Sequence, residues 1–246
     1  MSVAIVTGGS RGIGAATATL LAAAGHDVCL SYLEDASAAA SVVAACEAQG
    51  RPARAVQADV AIEADVRARF AAADELGPLA VLVNNAGITA PKARVDEVDV
   101  ARVERLLAVN VLGTVVCARE AVRRMSTAHG GVGGSIVNVS SAAARIGSPG
   151  EYVDYATTKG AVDTFTLGLS KEVAAEGIRV NAVRPGLIET EIHERGGQPG
   201  RVERLASTVP MQRGGTVDEV AAAIAWLCSD EAGFVTGALL DVSGGR

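Results

Sequence analysis

The sequence predicts a doubly wound α/β fold, and three observations carry that prediction. Short apolar, β-branched runs alternate along the chain with longer, alanine-rich segments of helical period. The runs are apolar on both faces, as strands are when helices cover a parallel sheet on either side. Gly25, Gly50 and Gly177 each follow a helical segment, where a glycine stops the helix and turns the chain towards the next strand.

Taken in order, the first strand is predicted over about 3–7 (VAIVT), followed through a glycine-rich turn by a helix over about 13–24. Strand 28–32 (VCLSY) with helix 36–49, and strand 53–57 (ARAVQ) with helix 62–75, repeat the unit. Strand 79–83 (LAVLV) leads into a long helix over 99–127. The stretch 129–134 (HGGVGG) is too short to separate domains and reads as the loop into strand 135–139 (SIVNV). Helix 153–176, strand 178–183 (IRVNAV), helix 217–228 and strand 238–242 (ALLDV) complete the pattern. No fixed-period repeat or linker interrupts it, so one domain over 1–246 is expected. The segment of about 186–214 has no clear period and is rich in Gly, Arg and Pro, which in a compact domain marks a substrate lid.

Composition narrows the function. The 246 residues are 49% hydrophobic and 20% charged, a globular balance with ample length for a core. The net charge is −6, and Lys and Arg are spread thinly, which argues against a nucleic-acid partner. Cys29, Cys46, Cys117 and Cys228 lie far apart with no paired spacing, as core thiols in a reducing cytoplasm would. His26, His129 and His193 have no metal-ligand spacing, so no metal is expected. His193 falls in the lid segment, where a surface position is expected. The first residues lack the basic region of a signal peptide, and no apolar stretch reaches the ~18 residues of a membrane helix. A cytoplasmic protein with no membrane partner is therefore expected.

Directly after the first strand stands Thr7-Gly8-Gly9-Ser10-Arg11-Gly12-Ile13-Gly14, and then a helix. Glycines let the backbone turn sharply and approach a pyrophosphate, while the helix N-terminus behind offers unpaired N–H groups and partial positive charge. A glycine triplet alone is weak, but the strand–turn–helix context is that of a dinucleotide site.

Farther along, Tyr155 and Lys159 are four residues apart at the start of a helix and so share one face. A free tyrosine titrates near ~10, and an ammonium beside it favours the phenolate. The pair is thus expected to exchange protons near neutral pH. Tyr152 has Ala156 four residues on, and no cation partner is expected for it. Ser140 and Ser141 end the fifth strand, where ligands collect in such sheets. Asn110 sits in an apolar helical stretch, where a buried amide needs a partner.

The order Thr7-Gly8-x-x-x-Gly12-x-Gly14, Asp59-Val60, Asn84-Asn85-Ala86-Gly87, Asn110, Tyr155-x-x-x-Lys159, Pro185-Gly186 and Asp241-Val-Ser-Gly-Gly245 resembles the classical short-chain dehydrogenase/reductase family along the whole chain. Within it, beta-ketoacyl carrier-protein reductases and glucose-type dehydrogenases are the most similar in character. The resemblance implies a Rossmann fold with seven parallel strands in the order 3-2-1-4-5-6-7 and hydride exchange between a carbonyl and a secondary alcohol. It assigns catalysis to Asn110, Ser141, Tyr155 and Lys159, with Asn110 holding a water that links Lys159 to solvent. The step from that serine to the tyrosine is one residue longer here than is common, which implies an insertion in 146–152 and leaves Ser140 open. The implied cofactor contacts are Gly8, Ser10, Arg11, Gly12, Ile13 and Gly14 in the turn, then Ser31 and Tyr32. They continue with Asp59 and Val60 at the adenine, and Asn85, Ala86 and Gly87. Tyr155, Lys159 on the ribose, Pro185, Gly186, Ile188, and Thr190 on the carboxamide complete the set. The long helices imply pairing across two-fold axes into a homodimer or homotetramer.

An acidic residue ending the second strand would repel a 2′-phosphate. That position falls at neutral Tyr32, and Arg11 can offer a guanidinium fork, so NADP(H) is preferred over NAD(H). Glu34 and Asp35 lie just beyond and leave NAD(H) open, and no second arginine stands beside Tyr32 in sequence. Three other readings stand beside this one: an NAD(H)-linked sugar or alcohol dehydrogenase, an epimerase or dehydratase, and a non-catalytic dinucleotide sensor. The intact Ser, Tyr and Lys weigh against the last.

Overall fold

The computed structural model describes residues 2–190 and 196–246. Its central sheet is formed by β1 (Val3–Val6), β2 (Asp27–Tyr32), β3 (Ala53–Gln57), β4 (Leu79–Asn84), β5 (Gly134–Val139), β6 (Ile178–Pro185) and β7 (Leu239–Val242). The strands lie in the order β3-β2-β1-β4-β5-β6-β7, and all are parallel. This is the predicted Rossmann order. Side chains alternate across the pleat, so β1 sends Ala4 and Val6 to one face and Val3 and Ile5 to the other.

Each face is sealed by helices. Ala4 and Val6 join a core built on α1 (Gly12–Ala23), α2 (Ala36–Glu47) and α9 (Val217–Cys228). Val3 and Ile5 join the opposite core, with α3 (Glu63–Asp74), α5 (Gly113–Met125) and α7 (Val153–Val173). All four cysteines are buried and free. The strand order reverses between β1 and β4, and a crevice opens there beyond the strands' carboxyl ends.

The predicted helix 99–127 is not continuous. It divides into α4 (Val100–Leu107), a single π turn (Ala108–Leu112) and α5. The Asn110 amide explains the break: it accepts from Ile88 N at 2.9 Å and donates to Ile88 O at 2.9 Å, outside its own helix. Two short helices, α6 (Ala143–Ile146) and α8 (Arg201–Leu205), have too few turns to leave a periodic signal. Within the lid segment, Leu187, Val202 and Val209 form a small apolar cluster of their own. His193 lies outside the described residues. Among the described residues, no helix is long and apolar enough to cross a membrane.

Candidate active site

The turn after β1 reaches its shape through Gly8 and Gly12, at φ +61° and +53°. Behind it a Cβ on Gly14 would lie 2.4 Å from Gly8 O and 2.5 Å from Asn85 Nδ2, so only glycine fits. Asn85 Nδ2 donates to Thr7 O and Gly8 O at 2.9 Å each, and Thr7 Oγ1 accepts from Asn85 N and Ala86 N at 2.9 and 2.8 Å. No side chain caps the N-terminus of α1, which leaves its first N–H groups to an anion.

These residues open onto a groove of about 880 Å³. Of the predicted cofactor residues, Gly8, Ser10, Arg11, Gly12, Ile13, Ser31, Tyr32, Asp59, Val60, Asn85, Ala86, Gly87 and Thr190 line it. Gly14 does not; it packs beneath the turn. Thr190 Oγ1 is buried with no hydrogen-bond partner among the described residues, a donor and acceptor still to be satisfied. The uncapped helix, the glycine cradle and this hydroxyl suit a dinucleotide with a terminal carboxamide.

A second cavity of about 460 Å³ adjoins the first; Ile13, Asn85, Gly87 and Thr190 border both. It is lined by Tyr155, Lys159, Ser140, Ser141, Pro185, Gly186 and Ile188. Lys159, on the first turns of α7, is buried and donates to Val139 O at 2.8 Å, with Nζ 5.7 Å from the Tyr155 ring centre. Ser141 lines this cavity beside Tyr155 and pulls the phenol's pKa down, whereas Ser140 Oγ donates to Lys159 O at 3.2 Å. A tyrosine, a serine and a lysine thus meet where a glycine-lined groove ends.

A family model described as "Enoyl-(Acyl carrier protein) reductase" matches residues 8–246. An oxidoreductase of Escherichia coli K12, YgfF, is 55% identical over 247 residues, covering all of both chains. The chain belongs to the short-chain dehydrogenase/reductase family. A cis-4-hydroxycyclohexanecarboxylate dehydrogenase of Sinomonas cyclohexanicum is 42% identical over 99% of this chain and 95% of its own. A blue fluorescent protein from a metagenomic library, solved with NADPH, superposes with a TM-score of 0.89 at 38% identity, covering 99% of this chain and 97% of that one. The chain is accordingly a dehydrogenase/reductase acting on hydroxyl and carbonyl groups.

Asn110 sits beneath the site, fully buried and lining neither cavity. Its amide also donates to Thr158 Oγ1 at 3.1 Å. A Cβ on Gly87 would come within 3.4 Å of both Asn110 Oδ1 and Lys159 Nζ, so the two groups flank one small space. Asp59 is held by Ala61 N at 2.9 Å and by Arg105 at 2.9 Å, and both Asp59 and Arg105 face the groove.

Two expectations need correction. Desolvation, rather than the lysine, dominates Tyr155 and raises its pKa, with Ser141 pulling partly back. Tyr152 does have a cation partner, since Arg201 of α8 stacks over its ring at 5.2 Å. Arg201 also pairs with Glu151 at 2.6 Å and borders both cavities. Sequence reading missed this cluster because α8 and the tyrosine are distant in sequence.

Burial pushes Lys159 down to about 8, with Asp163 one turn on opposing the shift. Its ammonium is present below that value and lost as pH rises through it. Affinity for NADPH, followed by cofactor fluorescence, should weaken between about pH 7 and 9. Lys159→Met should bind more weakly but without that slope; parallel slopes in the two proteins would contradict this.

Proposed function

We propose that this enzyme interconverts a carbonyl and a secondary alcohol with NADP(H), using Tyr155 as proton donor and acceptor. The reading rests on one observation: Tyr155, Ser141 and Lys159 converge at the end of the glycine-lined groove. When bound, the cofactor supplies or accepts the hydride at its nicotinamide. In reduction, Tyr155 gives its phenolic proton to the carbonyl oxygen, and in oxidation it takes the proton back. Ser141 hydrogen-bonds the same oxygen as charge develops. Its Oγ accepts from Ala143 N at 3.1 Å, which fixes the hydroxyl in place. Lys159 holds the ribose and returns protons through the space it shares with Asn110 and Gly87.

For the cofactor, Tyr32 stands where an acidic residue would repel a 2′-phosphate, and Arg11 lines the same groove. Asp35 is occupied as the N-cap of α2, accepting from Ala38 N at 2.8 Å. NADPH should bind at least about tenfold tighter than NADH, ~1.4 kcal/mol, and Tyr32→Asp should reverse the order. Equal affinities by titration would remove the preference and leave an NAD(H)-linked dehydrogenase.

The segment 186–214 serves as the lid over the substrate. The walls of the second cavity are largely apolar, with Ile146, Leu187 and Leu205 among them and Arg201 at the edge. A panel of carbonyl compounds scored by loss of NADPH absorbance should therefore include 4-oxocyclohexanecarboxylate, since one relative is named for the corresponding alcohol. We place the enzyme in the cytoplasm, as four buried free thiols suggest.

Leu107, Leu112, Val153 and Leu167 remain exposed around α4, the π turn and α7. They support assembly as a homodimer or homotetramer. Light scattering at micromolar concentration should give the mass of one of these; a monomer mass would refute it.

Tyr155→Phe should keep the fold and cofactor binding and lose about 10²–10⁴ in turnover, ~3–5 kcal/mol of barrier. Ser141→Ala should lose a comparable amount and Ser140→Ala much less. Tyr152→Phe should retain most activity. Near-normal turnover by Tyr155→Phe would rule out the proposed acid/base.

A further inference from the structure

We propose that Arg69, a residue of α3 outside the groove, is a positioning residue for the cofactor's 2′-phosphate and acts through Ser31. The inference rests on the NADP(H) reading above and assigns it a second, concealed cation.

Arg69 has no exposed surface, a rare position for a charged side chain. Its Nη1 donates to Ser31 Oγ at 3.2 Å and its Nη2 to Cys117 Sγ at 2.8 Å, while Nε has no partner among the described residues. The Phe70 ring lies 5.3 Å away. Among the described residues, no carboxylate is within ion-pair distance of it. Glu120, one turn from Cys117 on α5, is taken up by Arg119, Arg123 and Arg124. The thiols do not supply the missing anion: burial holds Cys29 up to about 11 and raises Cys117 above its ordinary value. A buried guanidinium thus stands directly behind Ser31 with no carboxylate among the described residues to balance it.

The hydrogen bonding of Ser31 gives that charge a direction. Its Oγ accepts from Arg69 and, at 3.4 Å, from Gly8 N, which uses both lone pairs. Its own hydrogen is donated to no group among the described residues. Ser31 lines the groove next to Tyr32 and near Arg11, at the end where the adenine ribose belongs. The hydroxyl is thus left as a donor facing the ligand, backed by a cation shielded from solvent. Such a pair favours an anionic acceptor over a neutral ribose hydroxyl, because a buried charge is little screened.

Arg69→Met replaces the guanidinium with an apolar chain that suits its surroundings. NADPH affinity, read by cofactor fluorescence, should fall about tenfold or more, while NADH affinity changes by less than about twofold. Ser31→Ala should reduce the NADPH preference in the same way and add little on top of Arg69→Met, the mark of one coupled unit. A melting temperature at or above that of the wild type is expected, since an unpaired buried charge is removed; Ser31→Ala carries the test if Arg69→Met does not fold. Equal weakening of NADPH and NADH, or additive losses in the double variant, would overturn the inference. A wild type without preference would overturn the NADP(H) reading, and this inference with it. A preference that survives Arg69→Met would overturn this inference alone.

Discussion

The junction between the ends of β1 and β4 is the constraint on which the rest of the site depends. Parallel strands leave their carboxyl ends side by side, and where the order reverses the following segments must diverge to opposite faces. Here Thr7 and Asn85 hold the two ends together. The Thr7 hydroxyl accepts two backbone N–H groups from beyond β4, and the Asn85 amide donates to two carbonyls after β1. A bulkier residue at Gly14 would break into this weave. The crevice is therefore open because its base is locked, and both cavities are laid out from that base.

A line of buried polar side chains extends the lock beneath the second cavity. Asn84 Nδ2 donates to Asn138 Oδ1 at 2.9 Å, and Asn138 Nδ2 donates to Thr166 of α7 at 2.9 Å. The chain of bonds crosses from β4 to β5 and on to the helix that carries Tyr155 and Lys159. Buried hydrogen bonds of this kind are costly to break, because each severed partner is left unsatisfied. They fix α7 against the sheet more narrowly than apolar contact alone would, and the position of the phenol follows from that.

Much of this was legible in the sequence because it depends on periodicity and local motifs. The strand runs are apolar on both faces, and each lies within two residues of its predicted boundaries; the glycine turn is contiguous; Tyr155 and Lys159 are one helical turn apart. What remained hidden depends on contacts between distant segments. The π turn at Asn110 is set by the backbone of Ile88, which no helical pattern encodes. Arg201 over Tyr152 and Arg69 behind Ser31 each join residues about forty to fifty positions apart. The predicted effect of Lys159 on Tyr155 failed for a related reason. Proximity in sequence gives the charge beside the phenol but not the desolvation around it, and here desolvation is the larger.

The close approach at Gly113 joins two parts of the site that are usually treated apart. It is the first residue of α5, directly after the π turn that carries Asn110, and a Cβ there would lie 2.7 Å from Val60 Cγ2 and 3.1 Å from Val60 O. Val60 lines the groove, at the end the family resemblance implies for the adenine. Widening the nucleotide floor at Val60 therefore displaces the backbone that holds Asn110, and reshaping the turn deforms the floor. Under the proposed roles of Asn110 and Lys159, this would couple two traits mechanically: a change that retunes the nucleotide floor would be filtered first by whether protons still reach the lysine.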